Sequence, residues 1–219
     1  VDIKLRSFDS ITVCGMKGTG KTWLEKYGLL PHYETVFVFD TNGEFPEYPS
    51  YEPETDSPRE LDKVAKVIWE KRNCLLLVSE AELYLPVNGT LPPNVFKIIT
   101  RGRHRNVGLI ADTRRIANLN KTVFGLSEHA FIFRHFSPTD LEYLSKFIPQ
   151  DVRQLASLPD YHFWHYSRGK VEVCSPIIIP SKRADTPTKV QEERRASTAS
   201  NSKALKKGVD KPPSQTRGD

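Results

Sequence analysis

Only three of the 219 residues are cysteine, and one is methionine. Cys14, Cys74 and Cys174 lie far apart, form no C-x-x-C pair and sit in or beside apolar runs. That excludes a disulfide framework and leaves three expected buried free thiols. His162 and His165 have no cysteine or carboxylate companions at ligand spacing, so no metal is assigned to them. No apolar run approaches the ~20 residues that span a bilayer, and the first residues lack a basic-then-apolar leader. A reducing, cytosol-like compartment is therefore expected. Charge of one sign is also missing where the apolar residues are. The formal net charge is +5, but residues 181–219 hold ten Lys or Arg against five Asp or Glu, so residues 1–180 hold 22 of each.

That composition divides the chain into residues 1–180, expected to fold, and residues 181–219, expected to be a disordered basic tail. The tail is rich in Lys, Arg, Ser, Thr and Pro and nearly empty of large apolar residues, so burial cannot offset its ordering entropy. Within 1–180, β-branched and aromatic runs at 11–14, 36–39, 74–78, 107–111 and 130–133 alternate with helical patterns at 21–27, 58–71 (N-cap Ser57) and 92–100. This βαβ order predicts an α/β fold with a mostly parallel central sheet flanked by helices. Short helices are expected at 138–147 and 151–158. A small C-terminal hairpin is expected from 163–166 and 171–173, joined through Arg168 and Gly169. Residues 41–57, with Pro46, Pro49 and Pro53, read as an acidic irregular loop.

The first strand runs into Gly15, Met16, Lys17, Gly18, Thr19, Gly20, Lys21 and Thr22, and a helix pattern follows. The spacing G-x4-G-K-T between a strand and a helix is that of a phosphate-binding P-loop. Its glycines let backbone N–H groups wrap a triphosphate, and the helix start adds the positive end of its dipole. Lys21 is expected to reach the β- and γ-phosphates of ATP, and Thr22 to offer a hydroxyl ligand to Mg²⁺. The fold expected is a P-loop NTPase of the RecA/ASCE-like kind. A buried strand pattern at 75–78 ends in Ser79-Glu80-Ala81-Glu82, and ligands bind beyond the carboxyl ends of such strands. Glu80 is the candidate catalytic base, on the metal side of the site as well.

Phe39-Asp40-Thr41-Asn42-Gly43-Glu44-Phe45, Ser79-Glu80-Ala81 and the run from Arg101-Gly102-Arg103 through Ala111 follow the phosphate loop in order. Together the four blocks resemble the FtsK/HerA superfamily of DNA-pumping ATPases. The likeness is greatest to the small genome-packaging ATPases of icosahedral, membrane-containing viruses of archaea and bacteria. It covers about residues 11–136. The resemblance implies a homo-oligomeric ring, commonly a hexamer, that drives double-stranded DNA into a preformed capsid, with a capsid or membrane vertex protein as a further partner. It implies residence in host cytoplasm or virion. Two positions depart from the pattern: Ser79 stands where the family has its metal-side aspartate, and Thr113 where it has a sensor glutamine.

Residues 97–115 concentrate Lys97, Arg101, Arg103, Arg105, Arg114 and Arg115 against Asp112 alone. In a ring, such an arginine can enter the neighbour's site and stabilise charge on the transferred phosphoryl group. Arg103 and Arg105 are the first candidates, Arg101 and Arg114 the next. The basic tail is the rival DNA-contact element, through salt-sensitive phosphate contacts. Tyr161, Phe163, Trp164 and Tyr166 read as hairpin core. The other readings are a cellular HerA-like pump, a phage-assembly ATPase, a nucleotide-binding scaffold with little hydrolysis, and a small-molecule kinase. The Arg-rich block before the fourth strand argues against the kinase.

Overall fold

The computed structural model describes residues 3–178, 205, 206, 208 and 209. Its strands are β1 (Ser10–Cys14), β2 (Val36–Phe39), β3 (Ser50–Tyr51), β4 (Cys74–Val78), β5 (Val107–Thr113), β6 (His129–Ile132), β7 (Phe163–Ser167) and β8 (Lys170–Cys174). They form one sheet in the order β3-β2-β4-β5-β1-β6-β7-β8. The first six are mutually parallel, and β7 and β8 close one side antiparallel. The expected hairpin is present, but it extends the main sheet rather than standing apart. Its turn places Arg168 and Gly169 at φ 51° and 77°, the left-handed pair that a two-residue turn between twisted strands needs.

β1, β4 and β5 are buried along their whole length, which is why they read as unbroken apolar runs rather than alternating ones. Their side chains alternate between two cores. Phe37, Phe39, Leu76, Val78, Leu109 and Ile132 face one layer; Val13, Val38, Leu75, Leu77, Ile110 and Phe131 face the other. The helices are α1 (Lys21–Leu24), α2 (Pro58–Lys71), α3 (Ala81–Tyr84), α4 (Pro93–Arg101), α5 (Lys121–Gly125) and α6 (Pro138–Ser145). Helix α2 buries Leu61, Val64, Ala65 and Ile68, a stripe at helical spacing, and Ser57 caps it as expected by accepting from Arg59 N. Asp62 on α2 accepts from both the backbone N and the Nδ2 of Asn94, tying the start of α4 to α2.

Several expectations shift. Helix 21–27 is α-helical only to Leu24 and continues as a π-turn, Glu25–Leu29. The segment expected helical at 151–158 is the 3₁₀ piece Val152–Ser157. The acidic loop is more ordered than its composition implies, because Asp40 accepts from Glu44 N and Phe45 N and seats Phe45 in the core. Most of the tail, 181–219, lies outside the described residues. Of its residues that are described, Leu205, Lys206, Gly208 and Val209 are helical rather than disordered. Leu205 and Val209 are buried in the core that includes α2, and Gly208 lies so close to Val67 that an added β-carbon would meet it at 3.0 Å. The three cysteines are buried and free. No helix among the described residues is long and apolar enough to cross a membrane.

Candidate functional site

The parallel strands all end on one side, and the sequence-predicted phosphate loop leaves β1 there, between β5 and β6. Gly15 N donates to Thr113 O (3.2 Å) and Met16 N to Arg134 O (3.4 Å), so the loop is pinned to the ends of both neighbours. Gly15 has no room for a side chain: a β-carbon would fall 2.5 Å from Phe133 Cβ. Gly20 precedes α1 at φ 103°, a left-handed value that turns the first N–H groups of the helix into the loop. Lys17, Gly18 and Thr19 form the outer curve, closed by the Thr19 hydroxyl donating to Met16 O.

Lys21 is buried, and its Nζ lies 3.7 Å from Asp112 Oδ1. Thr22 donates its hydroxyl to Glu44 Oε2 at 3.0 Å. Glu80 caps α3 with a left-handed φ of 49°, a value unusual for a non-glycine residue. Its Oε1 accepts from Asn42 Nδ2 (2.7 Å) and from the Arg114 guanidinium. The phosphate loop, Thr22, Glu44 and Glu80 thus share the carboxyl end of the sheet. Ser79 Oγ accepts from Thr41 N (2.8 Å), and its carbonyl accepts from the Thr41 hydroxyl (3.0 Å). Ser79 therefore holds the β2 and β4 ends together instead of supplying a carboxylate.

The acid missing at position 79 has a neighbour that the sequence reading passed over. Register pairs Val78 with Ala111 and Val13 with Asp112, so Asp112 stands one strand over from Ser79, beside the phosphate loop. Burial pushes its carboxyl up to about 7 while Lys21 pulls it down, and its Oδ1 has no hydrogen-bond partner. Glu25 is fully buried behind it with both carboxylate oxygens unpartnered; burial first, then the like charge of Asp112, holds its carboxyl well above the usual range. The signal in the sequence was present but weak: a lone acid in an arginine-rich run, at a strand end.

The arginines separate. Arg114 sits on Glu80 of its own chain, and Arg115 pairs with Asp140 (2.8 Å). Arg103 and Arg105 belong to the 3₁₀ turn Gly102–Arg105 ahead of β5, at the opposite end of the sheet from the loop, where Cys74 pairs with Val107. Arg105 donates to Trp69 O (3.2 Å) and lies over the Trp69 ring, whereas Arg101 and Arg103 are exposed. Thr113 is buried and accepts from Arg115 N at 3.2 Å, which shapes the turn that aims Arg114. Tyr161 departs from its expected place in the core. It is 58% exposed at φ 62° and stands beside Gly20, while Phe163 and Trp164 are buried as expected.

A hydroxyl and nearby carboxylates suit Mg²⁺, a hard cation that prefers oxygen and keeps waters and phosphate oxygens as its other ligands. Thr22, Glu44 and Glu80 are the residues that could hold it.

No protein-family model and no curated protein matches the chain. Solved structures do. The genome packaging NTPase of Sulfolobus turreted icosahedral virus 2, in complex with ATP-γ-S, superposes with a TM-score of 0.72 at 19% identity, covering 80% of this chain and 100% of that one. The DNA-packaging ATPase of Sulfolobus turreted icosahedral virus gives 0.72 at 18% identity over 80% of this chain and 100% of that one. EssC ATPases 2 and 3 of Geobacillus thermodenitrificans give 0.57 at 13%, covering 91% of this chain and 44% of that one. With its phosphate loop at the carboxyl end of a mostly parallel sheet, the chain has the P-loop NTPase fold of these solved structures.

Proposed function

We propose that this chain is an ATP-hydrolysing motor that translocates double-stranded DNA and packages a viral genome into a preformed capsid. The carrying observation is the grouping of Lys21, Thr22, Glu44 and Glu80 around the phosphate loop, on a fold whose solved relatives are packaging ATPases. Loop N–H groups and Lys21 bind the β- and γ-phosphates. Glu80, oriented by Asn42 and Arg114, takes the proton of the water that attacks the γ-phosphorus. Thr22 would hold Mg²⁺, which would supply charge neutralisation on the phosphate oxygens. Thr113 positions Arg114 next to that water rather than sensing the phosphate itself.

The working form is a homo-oligomeric ring, a hexamer, in which Arg103 or Arg101 of one subunit completes the next subunit's site. Arg105, tied to Trp69, braces the turn that presents them. Double-stranded DNA in the channel, a capsid or membrane vertex protein at the portal, and a place in host cytoplasm or virion complete this reading. The commitment of Ser79 to Thr41 favours one rival, a nucleotide-binding scaffold that scarcely hydrolyses. Measuring ATP turnover by the purified chain with Mg²⁺, with and without linear double-stranded DNA, tests both. Stimulation by DNA is expected; turnover that DNA leaves unchanged removes the motor, and binding without turnover establishes the scaffold.

A further inference from the structure

A cavity of about 360 Å³ opens on the outer side of Gly20, between the first turn of α1, the turn at 159–162 and the chain after β8. Its walls include Trp23, Phe133, Tyr161, Phe163 and Ile177. That volume lies at the lower end of the ~300–1,000 Å³ typical of small-molecule sites, and the wall is aromatic and aliphatic as such sites are. The cavity is continuous with the phosphate loop through Gly20 itself. A second, smaller cavity of about 160 Å³ lies along Lys17, Gly18 and Thr19, and Tyr161 lines both.

Tyr161 is built for this position at a cost. A bulky residue at φ 62° is a backbone outlier, and such strain persists only where the surroundings fix it. Here the surroundings do. His162 N donates to Pro159 O (3.2 Å), Asp160 pairs with Arg134 (2.5 Å), and Arg134 O receives the loop's Met16 N. The Tyr161 ring edge comes within 3.1 Å of where a β-carbon on Gly20 would stand, so the glycine leaves room for the ring. On the facing side Trp23 is half exposed, with its indole N–H committed to Ile177 O (3.1 Å). Among the described residues that line the cavity, the Tyr161 hydroxyl is the remaining polar side-chain group.

We propose that this cavity seats the nucleobase of the bound triphosphate, stacked on Tyr161 and Trp23, and that it accepts purines with little discrimination. The proposal rests on the phosphate-loop reading above and adds what holds the far end of the nucleotide. Stacking needs only a π-face, and a wall without side-chain donors or acceptors aimed at a base edge cannot separate adenine from guanine strongly.

Calorimetric titration of the full chain with Mg²⁺ and ATP, GTP or inorganic tripolyphosphate tests it. ATP and GTP should bind within about fivefold of each other, and tripolyphosphate at least about tenfold more weakly. Tyr161→Ala should weaken ATP about tenfold and leave tripolyphosphate unchanged, while Tyr161→Phe retains ATP binding. Ile177→Trp, which fills the cavity from the opposite wall, should reproduce the Tyr161→Ala pattern without touching the strained turn. Fluorescence gives a second measurement: ATP should quench the wild type and tripolyphosphate should not, and Trp23→Phe should remove the quench. Equal affinity for ATP and tripolyphosphate, or Tyr161→Ala weakening both alike or neither, overturns the base pocket. Absence of binding by either ligand to the wild type overturns the phosphate-loop reading instead.

Discussion

Glu80, the proposed base, is held by its neighbours at the end of β4. Its backbone is left-handed, and Asn42 and Arg114, from the segments that follow β2 and β5, hold its carboxylate by hydrogen bonds. Glu80→Gln keeps the shape and the hydrogen bond from Arg114 but removes the base. Turnover should fall by about 10²–10⁴ with nucleotide affinity retained, read by steady-state phosphate release beside calorimetry. Asp112 carries a different consequence. Burial, reinforced by the like charges of Glu82, Glu44 and Glu80, pushes its folded carboxyl up to about 7 from a usual 3.8, against the opposing pull of Lys21. Between about pH 4 and 7 the unfolded chain has released a proton that the fold retains, so this group's contribution to stability falls as pH rises through that window. Asp112→Asn removes the dependence. The melting temperature of the variant relative to the wild type should therefore climb between pH 5 and pH 8, by a few degrees on the scale of ~2–4 °C per kcal/mol for a chain of this size. A difference that stays flat with pH would show that Asp112 does not titrate there.

At the scale of elements, what the sequence could and could not foretell follows from the range of the interactions. The phosphate loop, the Ser57 cap and the hairpin turn are local, encoded by residues within a few positions of each other. The helix of 21–27 was found but its π-turn was not, since periodicity does not distinguish a helix from one locally overwound or unwound. Asp112 became visible only when β5 paired with β1, and Tyr161 only when the 159–162 turn met Gly20; both depend on contacts between distant segments. The contact of Arg105, a candidate finger, with Trp69 on α2 was hidden in the sequence for the same reason. Another distant contact can be tested directly. Asp62 supplies the cap that Pro92 cannot give to α4, and it is part-buried. Asp62→Ala should cost about 1–2 kcal/mol in urea denaturation with an unchanged slope; a loss under ~0.3 kcal/mol would mean that water caps the helix equally well.

Across the whole molecule, the arginines divide between the two ends of the sheet, Arg114 and Arg115 being paired with acids at the carboxyl end. Acids and the loop lysine gather at the carboxyl end of the strands, and the exposed Arg101 and Arg103 stand at the amino end of β5. An arginine so placed cannot serve its own chain's loop. In a ring it serves the next one, and this predicts complementation: mixing Arg103→Ala subunits with Lys21→Ala subunits should restore part of the ATPase activity that each lacks alone. Activity that stays at the level of the separate variants, for Arg101→Ala as well, would remove the arginine finger.

The sheet's two borders also constrain how copies meet. Among the described residues, the sheet ends on one side in the two-residue β3 and on the other in β8, which presents the exposed Lys170 and Glu172. Short or charged borders resist pairing with a further strand. In the proposed ring, copies of this chain would therefore meet through loops and helix faces rather than by joining their sheets. In the proposed ring such a seam would have no ladder of backbone bonds to break, and it could loosen and re-form while each subunit stays whole.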